Sequence, residues 1–60
     1  SLKDKIFLTT FDLFLKYGVK SVSMDDICRK LGISKKTIYT VIENKKDLIE
    51  QIIQLHIKRD

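Results

Sequence analysis

The stretch LGISKKTIYT, residues 31–40, decides how this chain folds. Glycine commonly follows the last turn of a helix in the left-handed conformation, and serine is a preferred N-cap for a new helix. Gly32 and Ser34 supply both signals, and only Ile33 lies between them. The stretch therefore predicts a helix that ends at Gly32, a short turn and a second helix after Ser34, which together form a helix-turn-helix motif.

Helical spacing of apolar residues extends this motif in both directions. It predicts helices over residues 2–17, 24–31, 35–42 and 45–58. Ser23 is a suitable N-cap for the second helix, and Asp26 stands where the acid of a capping box is expected. No alternation of the kind found in strands has a useful length. We therefore predict an all-α fold: a three-helix bundle with a helix-turn-helix motif and the start of a longer fourth helix.

Length and composition limit the possible functions. A chain of 60 residues is at most one domain, and a domain of this size buries only about 60% of its unfolded surface. One cysteine, Cys28, and one histidine, His56, make neither an internal disulfide nor a structural zinc site, so we predict no metal and no cofactor. No apolar run approaches the ~20 residues of a membrane span. We expect a cytoplasmic protein without membrane contact.

The first and last predicted helices are apolar on two sides, which is typical of helices buried on both. The first helix has one stripe and a second apolar face: Ile6, Thr10, Leu13, Phe14 and Tyr17, then Phe7, Leu8, Phe11 and Leu15. The fourth helix has a similar pair: Leu48, Ile52 and Leu55, then Ile49, Ile53 and Ile57. A 60-residue domain covers only one face of each, so we expect the second faces to pack on a further domain.

Positive charge is concentrated around the second helix of the motif. The chain has a net charge of +4 and a pI near 9.4. Residues 34–46 carry Lys35, Lys36, Lys45 and Lys46 against Glu43 alone. Charge by itself leaves two interpretations open, a solvated charged surface or a surface for a polyanion.

The second helix of a helix-turn-helix motif enters the DNA major groove with its N-terminal part toward the bases. Its exposed positions are predicted to be Lys35, Lys36, Thr37 and Thr40. The Tyr39 hydroxyl is a candidate donor to phosphate, although Tyr39 could also be a core aromatic residue with one wet edge. Ser23 and Lys45 begin the second and fourth helices, where backbone amides favour anions. We predict that these residues contact the DNA backbone.

These residues resemble the N-terminal DNA-binding domain of the tetracycline-repressor (TetR) family of bacterial transcription regulators. The matching segments span most of the chain: Phe14, Tyr17 and Gly18, then Ser23, Ile27 and Cys28, then residues 31–34, Ile38 and Tyr39, Asn44 and Lys45, and Leu48. The spacing of Tyr39, Lys45 and Leu48 is the most specific part. Thr10, Cys28, Val41 and Ile42 depart from the usual family residues.

The resemblance implies a homeodomain-like fold and a homodimeric regulator that binds double-stranded operator DNA, most often a repressor. It also implies a C-terminal domain, absent from these residues, that forms the dimer and binds a small-molecule effector which releases the DNA. Ser23, Tyr39 and Lys45 match backbone contacts. Lys35, Lys36, Thr37 and Thr40 match positions that meet bases or nearby phosphates.

Two other classes of function were weighed. A helical protein-interaction module could keep the helix-turn-helix fold without specific DNA binding, but such a module has no need of the +3 cluster at residues 34–46. An enzyme is disfavoured because no nucleophile, base and orienting group converge in the pattern. In particular, Asp25 and Asp26 are adjacent and point about 100° apart on a helix.

Overall fold

The computed structural model of the protein describes residues 1–57 and is helical, with no strand in that range. Its elements are α1 (Leu2–Tyr17), a 3-10 turn (Val19–Ser21), α2 (Met24–Leu31), α3 (Lys35–Ile38) and α4 (Lys45–Ile57). The all-α prediction and the bounds of α1 and α2 are confirmed. The predicted last residue of the fourth helix, at position 58, lies outside the described residues.

Local hydrogen bonds explain where the first two helices begin and end. The Ser23 hydroxyl accepts from the Asp26 backbone N–H, and the Asp26 carboxylate accepts from the Ser23 N–H, which completes the predicted capping box. Gly32 has φ 74° and ψ 32°, the left-handed conformation that ends α2. Gly18, with φ 88°, ends α1 and donates its N–H to the carbonyl of Phe14. Both glycine signals were therefore read correctly.

The third helix is shorter than predicted, because regular α-helix ends at Ile38 and does not reach residue 42. The Thr40 hydroxyl donates to the Thr37 carbonyl at 2.6 Å. That carbonyl also accepts from the Thr40 N–H, and the Val41 N–H donates to Ile38, three residues back. A threonine side chain that competes for a backbone carbonyl disturbs the α-helical ladder, and the chain tightens into turns with i to i−3 bonds.

A single apolar core holds the helices together. Each of the four helices contributes one fully buried apolar side chain: Ile6, Ile27, Ile38 and Leu48. Ile42 is also buried, so the predicted inward direction of Ile38 and Ile42 is confirmed. This isoleucine pair anchors the segment from 35 to 42 even where it is no longer α-helical.

The predicted division of α1 into two faces is wrong at two positions. Phe7 is buried in the core although it was assigned to the outer face, because α1 packs on both α2 and α4. Tyr17 is 63% exposed although it was assigned to the inner stripe, since it is the last residue before the chain turns at Gly18. Leu8 and Leu15 are exposed, as predicted for the outer face.

Ile53 and Ile57 are exposed on the outer side of α4, as predicted. Leu55 was predicted to lie on the inner stripe, but it is 56% exposed. Leu55 follows the last buried residue of α4, Ile52, by almost one turn and extends past the core. The His56 ring stacks on Phe11, with centroids 4.4 Å apart, and its Nδ1 lies 2.9 Å from the Ile52 carbonyl oxygen. These contacts connect α1 and α4 beyond the core.

Thr10 and Cys28, two small residues that differ from the usual family residues, are both buried. Cys28 is a core residue, and burial raises the pKa of its thiol, which is the environment of an inert structural cysteine. Thr10 is fully buried, and its hydroxyl has no hydrogen-bond partner among the described residues. None of the described helices is long and apolar enough to cross a membrane.

Candidate nucleic-acid interface

A hydrogen-bonded cap fixes the start of α3 directly after the turn. The Ser34 hydroxyl accepts from the Thr37 backbone N–H at 3.1 Å, and the two side-chain oxygens are 3.0 Å apart. Gly32 and Ile33 both donate their N–H groups to the Cys28 carbonyl, which closes the preceding turn. The turn and the cap together set the angle at which α3 leaves α2.

Most of the predicted contact residues in the segment 35–40 are exposed to solvent. Lys35, Lys36 and Thr40 are exposed, and Tyr39 is 43% exposed, so the core-aromatic interpretation of Tyr39 is wrong. Thr37 is half-buried, and its hydroxyl takes part in the Ser34 cap. The Thr40 hydroxyl donates its hydrogen to a backbone carbonyl. Thr40 can therefore offer a ligand only its methyl group and the lone pairs of its hydroxyl oxygen.

The two lysines at the start of α3 have different environments. Lys35 Nζ lies 2.9 Å from an Asp25 carboxylate oxygen, and this hydrogen bond raises the pKa of Lys35. Lys36 makes no ion pair within residues 1–57. Much of the positive charge that faces outward from α3 therefore comes from Lys36.

Ser23 is exposed at the start of α2, as predicted. Its hydroxyl oxygen accepts from the Asp26 N–H, which leaves the hydroxyl hydrogen available to donate to an anion. The Ser23 backbone N–H donates to the Asp26 carboxylate at 2.9 Å, and this bond lowers the pKa of Asp26. Ser23 thus offers a phosphate its side chain and not its own backbone amide.

The side chain of Lys45, predicted to contact the DNA backbone, is directed toward the protein's own backbone. Its Nζ donates to the Val19 carbonyl at 2.8 Å and to the Val22 carbonyl, in the loop between α1 and α2. The side chain is half-buried, while Lys46 beside it is exposed. The ammonium group of Lys45 is engaged inside the protein, so the outward charge at the start of α4 comes from Lys46.

Two features of this surface were missed in the sequence. The first is the cap of α4, where the Asn44 side chain accepts from the Asp47 N–H and the Asp47 carboxylate accepts from the Glu43 N–H. The spacing of Asn44 and Asp47 in NKKD was an available signal for this cap. The second is the ion pair of Asp25 with Lys35, which joins residues of different helices and leaves no mark in local spacing.

No group of three or more metal-ligating side chains is found within residues 1–57. Around the capped starts of α2 and α3 the surface carries cations, hydroxyl groups and one phenol, together with the carboxylate of Asp25. The cations, hydroxyl groups and phenol suit a polyanion with hydrogen-bonding edges.

Comparisons with known proteins give a family match and several curated relatives. The profile for "Bacterial regulatory proteins, tetR family" matches residues 6–52. Among curated proteins, the biofilm operon icaADBC HTH-type negative transcriptional regulator IcaR of Staphylococcus aureus (strain Newman) is 32% identical over 88% of the chain and 28% of its own length. The uncharacterized HTH-type transcriptional regulator YhgD of Bacillus subtilis (strain 168) is 33% identical over 75% of the chain and 24% of its own length.

The chain thus spans about a quarter of the length of the curated relatives it matches, by the 28% and 24% coverage of IcaR and YhgD. No solved structure gives a significant match. The family match covers most of the chain. The chain belongs to the TetR family of bacterial regulatory proteins, and the match includes its helix-turn-helix motif.

Proposed function

We propose that residues 1–60 form the operator-reading domain of a dimeric bacterial transcription regulator, with the segment 35–42 in the major groove of double-stranded DNA. The observation that carries this proposal is the exposed side of the segment 35–42. Lys36, Tyr39 and Thr40 are exposed there, while Ile38 and Ile42 hold the segment on the core. A surface of this shape presents side chains to base edges without loss of packing.

Each exposed residue of the segment 35–40 has a chemical role in this proposal. Lys36 donates to guanine acceptors or to a phosphate, and the Thr40 methyl group contacts a thymine methyl. The Tyr39 hydroxyl donates to a phosphate. Lys35 and Thr37 lie beside them, and both already have partners inside the protein, so their contributions are smaller.

The neighbouring helix starts hold the DNA backbone. Ser23 donates its hydroxyl to a phosphate at the start of α2, and the amides at the start of α4 with Lys46 meet a second phosphate. Phosphate contacts of this kind fix the register of α3 before any base is read. The start of α4 at Lys45 remains part of the DNA-contacting surface, although the ammonium group of Lys45 bonds to the loop.

We further propose that the regulator is a cytoplasmic homodimer and a repressor released by a small-molecule effector. Support comes from the role of IcaR as a negative transcriptional regulator and from the greater length of the relatives. The exposed apolar residues Leu8, Leu15 and Ile53 form faces that a C-terminal domain would cover. That domain would hold the dimer contacts and the effector site.

The test is fluorescence anisotropy with duplex DNA selected from a random library by the protein. Lys36→Ala should lower the affinity and reduce the slope of log affinity against log salt by about 0.9, the value for one phosphate neutralised. Tyr39→Phe, which removes one hydroxyl, should weaken binding by about 2- to 10-fold. Lys5→Ala, an exposed lysine of α1, is the charge-matched control and should bind like the unmodified chain.

Unchanged binding of both Lys36→Ala and Tyr39→Phe would contradict the proposed surface. Absence of DNA binding even at low salt, where non-specific Kd values fall well below the ~10⁻⁴–10⁻⁶ M typical of physiological salt, would favour the alternative. That alternative is a helical protein-interaction module with a helix-turn-helix fold.

A further inference from the structure

The side chain of Lys45 connects two parts of the chain that are far apart in sequence. It leaves the first residue of α4 and donates from Nζ to the carbonyls of Val19 and Val22, 26 and 23 residues earlier. Lysine side chains on surfaces of small domains are usually solvated. Here two donors of the ammonium group are used by the protein itself.

The loop between α1 and α2 needs this partner. The 3-10 turn Val19–Ser21 is only three residues long, so its last carbonyls have few backbone donors. The Val19 carbonyl accepts from the Val22 N–H at 3.4 Å, a long bond. Val22 is 2% exposed and its bond to Lys45 is partly buried, so a donor from the protein stabilises its carbonyl. A cation at the carbonyl end of a helical turn is the favourable choice.

The position of this bond matters for DNA binding. Ser23 follows Val22 directly and is the N-cap of α2, whereas Lys45 begins α4. The Lys45 side chain therefore joins the two helix starts to which the proposed function assigns phosphate contacts. Movement of the loop would therefore displace Ser23 relative to α4.

We propose that Lys45 is a positioning residue for recognition of the DNA backbone. Its ammonium group holds residues 19–22 against the start of α4 and thereby fixes Ser23, and it keeps these carbonyl partners when DNA is bound. The inference rests on the proposed function. A direct phosphate contact by the Lys45 ammonium group is the competing role, and the two roles differ in their dependence on salt.

The experiment compares Lys45→Met with Lys46→Met in the 60-residue chain. Each change removes one positive charge at the start of α4 and keeps an unbranched side chain. In the free protein, Lys45→Met should shift the amide NMR signals of residues 19–23 and speed their hydrogen exchange at least about tenfold, the factor expected when a carbonyl loses a charged donor. Lys46→Met should leave these signals unchanged.

DNA binding separates positioning from a purely structural role. Lys45→Met should weaken binding and abolish the DNA-induced shift at Ser23, with a salt slope equal to that of the unmodified chain. Lys46→Met should reduce the slope by about 0.9 and retain the Ser23 shift. A slope reduced as much by Lys45→Met as by Lys46→Met, or a Ser23 shift retained in Lys45→Met, would overturn the proposal.

A measurement on the unmodified chain covers the case in which Lys45→Met does not fold. The ¹⁵Nζ signal of Lys45 should be visible and protected from solvent exchange in the free protein, and it should stay unchanged with DNA. Loss of protection in the free protein, or a coupling between Nζ and a ³¹P nucleus in the complex, would also overturn the proposal. If the unmodified chain does not bind DNA, the proposed function fails, while the free-protein readouts still decide whether Lys45 holds the loop.

Discussion

At the scale of single residues, Asp25 controls how much charge α3 presents. Its carboxylate lies 2.9 Å from Lys35 Nζ, and both side chains are more than half exposed. An exposed pair of this kind stabilises a fold very little, so its main effect is on the surface potential. Asp25 both lowers the net charge near the proposed DNA surface and directs Lys35 toward α2.

We predict that Asp25→Asn increases DNA affinity several-fold on all sequences, because Lys35 then becomes free to neutralise a phosphate. The salt slope should rise by up to about 0.9, and the preference for the selected duplex over random duplex should fall. Anisotropy titrations at several salt concentrations measure both quantities. Asp12→Asn, which breaks the pair of Asp12 with Lys16 on α1, is the matched control. Weaker binding by Asp25→Asn would show that the directed position of Lys35 matters more than its free charge.

Thr10 provides a second prediction at this scale. Its hydroxyl is fully buried without a partner among the described residues, which costs free energy of folding. Thr10→Val keeps the shape of the side chain and should increase the free energy of unfolding by about 1 kcal/mol. Urea denaturation measures the change. Thr9→Val, the same substitution at a half-buried neighbour, should alter it by less than about 0.5 kcal/mol. Destabilisation by Thr10→Val would mean that the hydroxyl is bonded to the helix backbone.

At the scale of elements, the start of α2 depends on the charge of Asp26. The hydrogen bond that the Ser23 backbone N–H donates to the Asp26 carboxylate lowers the pKa of Asp26 below its ordinary value of 3.8. Since the pKa is lower in the folded chain, the contribution of Asp26 to stability is present above pH 3.8 and is lost as pH falls through the folded pKa.

Thermal unfolding followed by circular dichroism between about pH 6 and about pH 2 tests this effect. The Tm of the unmodified chain should fall by more over this pH interval than the Tm of Asp26→Asn, because the variant lacks the capping carboxylate that titrates. Glu50→Gln, at an exposed site of α4, should follow the unmodified chain. Parallel Tm curves for the unmodified chain and Asp26→Asn would contradict a role for the capping box.

The helices also show which features of the fold can be predicted from the sequence. The caps at Ser23 and Ser34 and the stops at Gly18 and Gly32 are local signals, and they set the bounds of α1 and α2 correctly. The end of α3 was placed four residues too late, because the bond from the Thr40 hydroxyl to the Thr37 carbonyl outweighs apolar spacing. The Lys45 and Asp25 contacts join distant segments, and local spacing carries no information about them.

At the scale of the whole molecule, the core and the exposed apolar faces have separate roles. Leu13 and Leu15 are two residues apart on α1, yet Leu13 is buried and Leu15 is 70% exposed. A small domain has little stability to spare, so it depends on every residue of its core. The exposed faces contribute little to that core and are available for a further domain.

We predict that Leu13→Ala lowers the free energy of unfolding by about 2–5 kcal/mol, or prevents folding altogether. Leu15→Ala, the same change on the exposed face, should lower it by less than about 0.5 kcal/mol. Urea denaturation of the two variants in parallel makes the comparison. A similar loss in both would mean that the face around Leu15 is already buried, for example between two copies of the chain.

The central claim is that Ser23, the segment 34–40 and the start of α4 form one DNA-binding surface. An NMR titration of the ¹⁵N-labelled chain with a short duplex, at low and at moderate salt, tests it most directly. We expect amide shifts at Ser23, residues 34–40, Lys45 and Lys46, which weaken steeply as salt increases. Absence of shifts, or shifts confined to the apolar faces around Leu8, Leu15 and Ile53, would contradict the claim and assign the function to a protein partner.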